Sequence, residues 1–538
     1  LATIIGSRKE IAPATMQDFC RLRRNLNSRR KEESGKGQHA MRYRSTRGKS
    51  SYVTAAETII KGLAPDGGLY VPADRLPQYG IENLPRSSYQ ELAVAILTPF
   101  LTDFNDAEIE ECVHAAYKAP PFDHPAVTPL RQLSENTYIL ELWHGPTYAF
   151  KDIALQILPH LMQKAAQKTG ENTDIVILTA TSGDTGKSAL EGFRDAVGTR
   201  IVVYYPENGV SKIQKLQMTT QEGNNVSVAA VKGNFDDAQT GVKKIFNDPK
   251  LALKLAAAGY RLSSANSINW GRLLPQIVYY YAAYRELLQS DAINPGEKIN
   301  FVVPTGNFGN ILAGYYAKRT GLPVNRLICA ANRNNVLADF INSGLYNSKR
   351  PLHNTISPSM DILKSSNLER LLFEISGHDS ERIARWMEQL NSTGEYRVDA
   401  DVHHSMQELF WSDYADDDET AVAIANTYRE YGYLIDPQTA VGKTVSDKYR
   451  AQTADKTKSI ILSTASPFKF NRSVAQAIFG HDQSSVISEF SLLHLLAQKT
   501  GSIIPPNLAN LEQKPEKHKQ VIACHEMPDH LLNILAIK

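Results

Sequence analysis

The chain has 538 residues, 42% of them hydrophobic and 22% charged, with a formal net charge of +2. That length carries ample core and roughly two to four domains, and so balanced a charge excludes nucleic-acid binding by bulk electrostatics. No apolar stretch approaches the roughly 20 residues of a membrane helix, and Cys20, Cys112, Cys329 and Cys524 match neither a metal spacing nor a disulfide framework.

Residues 1–40 end in the polar run RRNLNSRRKEESGKGQHA. They read as a disordered or mispredicted extension. A mitochondrial transit peptide is the alternative, because basic residues outnumber acidic ones. Glu32, Glu33 and the absence of a leading methionine weigh against it, so a cytoplasmic protein is expected. Residues 41–130 form an N-terminal region that folds as a cap. It opens on RYRSTRG, with helical periodicity over Ala55–Gly62, Ser87–Leu97 and Asp106–Tyr117 and turn chemistry in LAPDGGLYVP.

From Thr137 the pattern alternates. Strand-like runs are YILEL (138–142), DIVILTA (174–180), RIVVYYP (200–206), VSVAAV (226–231), NFVVP (300–304), RLICAA (326–331) and SIILST (459–464). Helical stretches between them include Asp152–Lys168, Lys187–Asp195, Ser211–Thr219, Phe235–Asn247, Arg272–Leu288 and Asn310–Arg319. Apolar strands alternating with helices predict an α/β fold with a largely parallel, doubly covered sheet over residues 131–480. Residues 481–538 are poorly patterned and read as a C-terminal tail, with a loop at Pro505-Pro506.

Ligands gather beyond the carboxyl ends of strands in open α/β sheets, and four such ends stand out. In LELWHGPTYAFKD, an apolar strand breaks at Gly145-Pro146 and Lys151 stands where a helix begins. Apolar surroundings and nearby dipole ends favour a neutral, reactive amine there; an ordinary solvated lysine is the competing reading. In TATSGDTGK, glycines and hydroxyls precede a helix and can present N–H groups to an anion. The spacing is not that of a Walker loop, and an ordinary tight turn remains open. In PTGNFGN, Gly306 and Gly309 permit close backbone approach, which makes a second phosphate cradle, again with a plain turn as alternative. In STASPFKF, Thr464 offers a neutral hydroxyl, which also suits a routine strand end. Taken together, a lysine, two anion cradles and a hydroxyl suit pyridoxal phosphate. Its aldehyde, phosphate and ring nitrogen each need one of them.

These motifs, with SSANSINWGRLLPQ (263–276), VVPTGNFGNILAGYYAKR (302–319), SPSMDILKSSNLERLLFE (357–374) and IDPQTAVG (435–442), closely resemble the threonine synthases of the fungal and enterobacterial type. The resemblance covers about Met41 to Gly480. It implies a fold-type-II pyridoxal-phosphate enzyme, tryptophan synthase β-like, with two α/β lobes of mostly parallel sheets. Residue by residue, it makes Lys151 the Schiff-base lysine. It gives Gly306, Asn307, Phe308, Gly309 and Asn310 to the cofactor phosphate and Thr464 to the pyridine nitrogen. Thr181, Ser182, Gly183 and Thr185 receive the substrate carboxylate, and Asp184 lies near the cofactor 3′-oxygen. Arg47, Lys49, Arg272 and the residues of SSANSINW are the candidates for the substrate phosphate, the arginines because a planar fork suits it, and Arg272 is placed among the substrate-binding residues. The family's usual His-Pro after Ser-Thr-Ala is replaced by Ser466-Pro467, which leaves any role of that histidine open.

The implied activity is a carbon–oxygen lyase reaction on phosphate, from O-phospho-L-homoserine and water to L-threonine and phosphate. A phospholyase giving 2-oxobutyrate and a non-catalytic binding homologue are the alternatives. No metal, nucleic-acid or membrane partner is expected, and a monomer is compatible with the reading.

Overall fold

The computed structural model describes residues 40–85, 87–208, 210–480 and 487–537. The reading of residues 1–40 as an extension therefore falls, but for Ala40, outside the described residues.

The N-terminal region forms a small layer of its own. Strands β1 (Tyr43–Ser45) and β2 (Tyr70–Pro72) pair antiparallel. Helices α1 (Ala55–Lys61), α2 (Tyr89–Leu97) and α3 (Asp106–Ala116) lie around them. Capping boxes at Thr54 and Asn105 start α1 and α3, and their apolar faces, including Ile59, Ile60, Ile109 and Val113, enter the main core. The cap is thus continuous with the body it covers.

The body carries two sheets. Strands β3 (Leu130–Ser134) and β4 (Thr137–Glu141) precede helix α4 (Lys151–Thr169). Then come β5 (Asp174–Ala180), α5 (Asp184–Phe193), β6 (Thr199–Pro206), α6 (Lys212–Thr219), β7 (Val226–Lys232) and β8 (Tyr260–Ser263). Helices α7 (Trp270–Leu273) and α8 (Gln276–Gln289) lead to β9 (Ile299–Pro304), α9 (Gly309–Arg319) and β10 (Val324–Ala331). The sequence pattern of one helix over 272–288 is in fact two, split at Pro275, whose missing N–H cannot continue the ladder. An antiparallel pair, β11 (Leu345–Asn347) and β12 (Glu395–Arg397), is followed by β13 (Phe410–Tyr414), α10 (Pro437–Thr453) and β14 (Ser459–Ser463). The chain closes with α11 (Glu489–Thr500), β15 (Gln520–Ala523) and α12 (Met527–Ile534).

The larger sheet runs β13–β10–β9–β14–β4–β3, and the smaller β15–β7–β6–β5–β8. Every pairing is parallel except that of β3 with β4. The central strands of the larger sheet, β9, β14 and β4, are buried along their whole length, as unbroken apolar runs require when both faces are covered. The adjacency matters most. Strands β9, β14 and β4, far apart in sequence, are direct neighbours, so their carboxyl ends open side by side. Residues 487–537 form helices and a strand. Strand β15 extends the smaller sheet along β7, and α12 packs Met527 and Leu531 onto it. The reading of 481–538 as a poorly patterned tail does not include α11, whose Phe490, Leu492, Leu493 and Leu496 are buried.

Candidate functional site

Lys151 opens α4 directly behind Phe150. Two ties fix that start. The Phe150 N–H donates to the Thr464 carbonyl at 2.9 Å, and Ala149 bridges Ala465. The end of β4 is thereby laced to the end of β14, which places Lys151 beside Thr464. Asp152 is buried with its carboxylate bound by the Thr147 N–H (2.8 Å) and hydroxyl (2.7 Å), which closes the Gly145-Pro146 turn.

The second wall comes from the smaller sheet. After β5, the Thr181 hydroxyl accepts from the Gly183 and Gly186 N–H groups at 3.0 and 2.9 Å, which shapes the loop ahead of α5. Gly183 sits at φ 130 with the Gln214 side chain where a Cβ would lie, so this turn requires glycine. Ser182 and Thr185 are half-buried on the same loop. Asp184 begins α5, and its Oδ2 lies 3.6 Å from Lys151 Nζ. Further along α5, Gly192 lies against the backbone of α4, where an added Cβ would overlap the Leu155 carbonyl oxygen. Leu155 stands one turn beyond Lys151, so the two helices that carry this pair touch backbone to side-chain-free backbone.

The third wall is the loop after β9. Phe308 caps α9 in the left-handed region, at φ 62, with no side-chain cap. A bulky residue there is held by its surroundings: its ring is buried and packs on Phe410 at 5.7 Å. The helix ladder begins with the Leu312 N–H on the Phe308 carbonyl, so the N–H groups of Gly309, Asn310 and Ile311 have no carbonyl behind them. Ser365 and Asn367 pin the loop by bonding the Gly306 and Asn307 carbonyls at 2.9 and 3.0 Å. Asn307 is exposed. Asn310 is buried: its Oδ1 accepts from Tyr279 and Tyr280 while its Nδ2 has no partner.

These features fit a phosphate monoester. A side chain at Gly306 or Gly309 would press on Ser359 or Ser267, at 3.2 and 3.1 Å. Free first-turn donors and an unpartnered amide supply what an anion at a helix N-terminus needs.

The cations divide cleanly. Arg47 is fully engaged, donating from Nε and a terminal nitrogen to Glu369 at 3.0 Å each. Lys49 is exposed. Arg272 is buried and donates to the Ala265 carbonyl at 2.6 Å. Burial brings its guanidinium down to about 10, and it faces Lys151 closely enough to disfavour the ammonium there. A buried guanidinium with a carbonyl partner is poised for an anion.

Burial is the main influence on Lys151 and brings its amine down to about 8; Asp184 opposes this, and Lys469 and Arg272 reinforce it. Burial pushes Asp184 up, but Lys469 and then Lys151 more than reverse that, so its carboxyl lies well below the usual range. Asp436, the N-cap of α10, is pushed up to about 7 by burial.

Thus Lys151 stands next to the end of β14 that carries Thr464 and within reach of Asp184 and Arg272, while Ser359, which bonds Asp184, also borders Gly306 of the loop after β9. Sequence reading missed Lys469, Gln214 and Ser359, all of which contact Asp184. Lys469 and Ser359 stand inside motifs already singled out, STASPFKF and SPSMDILKSSNLERLLFE, so the signal was present but unassigned. Ser466 caps the short turn Pro467–Phe470, accepting from the Phe468 N–H at 3.4 Å; this is what the residue at the family's histidine position does here.

Three family models match: Threonine synthase N terminus over 42–117, Pyridoxal-phosphate dependent enzyme over 121–409, and Threonine synthase, C-terminal over 439–527. The chain is 39% identical over 500 residues to threonine synthase of Pseudomonas aeruginosa, covering 92% of this chain and 97% of that protein. It is also 39% identical over 477 residues to human threonine synthase-like 1, covering 86% of this chain but 63% of that longer protein. The crystal structure of PLP-bound threonine synthase from Brucella melitensis superposes with a TM-score of 0.80 at 37% identity, over 92% of this chain and 99% of that one.

Proposed function

The chain belongs to the threonine synthase family of pyridoxal-phosphate-dependent enzymes, and on that premise we propose that it converts O-phospho-L-homoserine and water to L-threonine and phosphate. The observation that carries this is the buried Lys151, 3.6 Å from Asp184 and beside Thr464, between two loops fitted to anions.

In this reading, Lys151 would be the residue that holds the cofactor through its aldehyde. The N–H groups of Gly306, Asn307, Phe308, Gly309 and Asn310 would hold its phosphate, and Thr464 would serve its ring nitrogen. When bound, pyridoxal phosphate supplies the electron-withdrawing ring that lets protons leave carbons next to the substrate amine. Lys151 Nζ, when neutral, would take the substrate's Cα proton and carry protons at Cβ. Its lowered affinity for a proton suits both roles, because an amine near 8 gives back what it takes at neutral pH. Thr181, Ser182, Gly183 and Thr185 would bind the substrate carboxylate, in the manner of a helix N-terminus, and Asp184 would serve the 3′-oxygen of the ring. Arg272 holds the departing γ-phosphate, which a planar fork suits. The deep placement of these groups keeps bulk water from the reacting carbons until the phosphate has left. A cytoplasmic monomer acting on the free amino-acid phosphate is the setting proposed.

The test is incubation of purified protein and cofactor with O-phosphohomoserine, scoring threonine, 2-oxobutyrate and phosphate together. Threonine equal to phosphate supports the proposal. Stoichiometric 2-oxobutyrate would assign a phospholyase instead, and neither product would leave a binding homologue.

A further inference from the structure

Asp184 is contacted by more groups than the reaction above uses. Its Oδ1 accepts from Gln214 Nε2 at 3.1 Å and lies 2.8 Å from Lys469 Nζ. Its Oδ2 accepts from Ser359 Oγ at 3.0 Å, and Lys151 reaches it only at 3.6 Å. Lys469 comes from the turn after β14 and its side chain is wholly buried. A buried ammonium needs a counter-charge, and among the described residues Asp184 is the carboxylate at salt-bridge distance. The contact is an ion pair at 2.8 Å that acts on Asp184 chiefly through its charge.

The site thus holds two buried lysines around one carboxylate, and the closer one is not the one at the head of α4. We propose that Lys469 is a positioning residue: with Ser359 and Gln214 it saturates Asp184, so that this carboxylate cannot hold Lys151 as an ammonium. Lys151 Nζ is then left free to give and take protons at the substrate carbons. This rests on the reading of Lys151 as the cofactor-bonding lysine.

Among the described residues, three further charged groups face the pair. Arg272 on α7 faces Lys151 and adds to the same bias. Asp152 on α4 feels Lys469, but its carboxylate is taken by Thr147. Asp436, at the cap of α10, faces Asp184, and its own proton affinity is raised by burial. None of these can replace the positive charge of Lys469 beside Asp184.

The experiment uses the holoenzyme. The pH midpoint of its visible absorbance band and the acidic limb of its kcat profile are measured for the parent, Lys469→Met, Lys469→Arg and Ser359→Ala. Borohydride-fixed cofactor is mapped by peptide analysis. Loss of the Lys469 charge turns Asp184 wholly toward Lys151, so both midpoints rise by about one pH unit in Lys469→Met. Lys469→Arg, which keeps the charge, returns them toward the parent. Ser359→Ala keeps Lys469 but frees Oδ2, and raises both midpoints by a smaller amount. Midpoints in Lys469→Met that match the parent, with the label on Lys151, overturn the proposal. If Lys469→Met does not retain cofactor, unmoved midpoints in Ser359→Ala overturn it instead. A label on Lys469 in the parent protein overturns both this proposal and the assignment of Lys151, which separates the two failures.

Discussion

Gly192→Ala sets two elementary effects against each other. Within an ordinary helix the change stabilises by roughly 0.5–1 kcal/mol, because alanine loses less backbone entropy. Here the new methyl would overlap the Leu155 carbonyl oxygen, a backbone atom that cannot rotate aside. The helices α4 and α5 must part by about 1 Å to reach van der Waals contact. Overpacking of this kind costs about 1–3 kcal/mol, so the net expectation is a loss of about 1–2 kcal/mol. The displacement is delivered one turn from Lys151. Opening its 3.6 Å contact with Asp184 by that amount weakens the attraction by about 1 kcal/mol at an effective dielectric of ~20. Misplacement of a catalytic group on that scale lowers turnover by about 10²-fold. Urea unfolding of the holoenzyme, followed by threonine formation at saturating substrate, reads both quantities. An alanine variant more stable than the parent and equally active would show that Gly192 does not set the spacing of these helices.

Further expectations follow from the same geometry. Lys151→Ala loses turnover and the borohydride-fixed label together, as checked by product assay and peptide mapping. Thr464→Asp retains cofactor through the Gly306–Asn310 loop but slows threonine formation by about 10-fold or more, about 1.4 kcal/mol in barrier, whereas Thr464→Ser is much milder; parental kinetics in the aspartate variant would remove Thr464 as the nitrogen's partner. His144 is pushed up to about 9: burial alone would lower it, but hydrogen bonds to Asp123 (2.6 Å) and Glu141 (2.8 Å) outweigh that. Its folded-state affinity for a proton exceeds the unfolded one, so its contribution is full below about pH 6.5 and is lost as pH rises through about 9. Chemical denaturation between pH 6 and 10 therefore shows falling stability, and His144→Gln flattens that slope.

The strand-end loops were legible because glycine, hydroxyl and lysine clusters interrupt apolar runs, and both signals are local. Strand boundaries came within a residue or two for the same reason. What stayed hidden is what depends on pairing. Strand β8 (YRLS) and strand β13 (FWSDY) are short and mixed, and become strands only because β5 and β10 offer them an edge. Lys469 was overlooked because a lysine flanked by phenylalanines has no periodic signature; only the approach of α5 shows that it faces Asp184. Arg47 and Arg272 look alike in sequence, and Glu369, some 320 positions away, is what removes Arg47 from contention.

The place of β14 between β9 and β4 has a consequence for synthesis. A growing chain completes β4 and β9 by residue 304, but the strand that joins them is made only at residues 459–463. Until then two apolar strands present unpaired edges across a one-strand gap, the kind of surface that recruits other chains. The last strand inserts into the middle of the sheet rather than adding to its rim, a closure of high contact order and hence slow. Its arrival also delivers Thr464 and Lys469, so the candidate site is completed at the moment the sheet is. A chain interrupted before residue 459 is therefore not a weaker enzyme but an open template for aggregation.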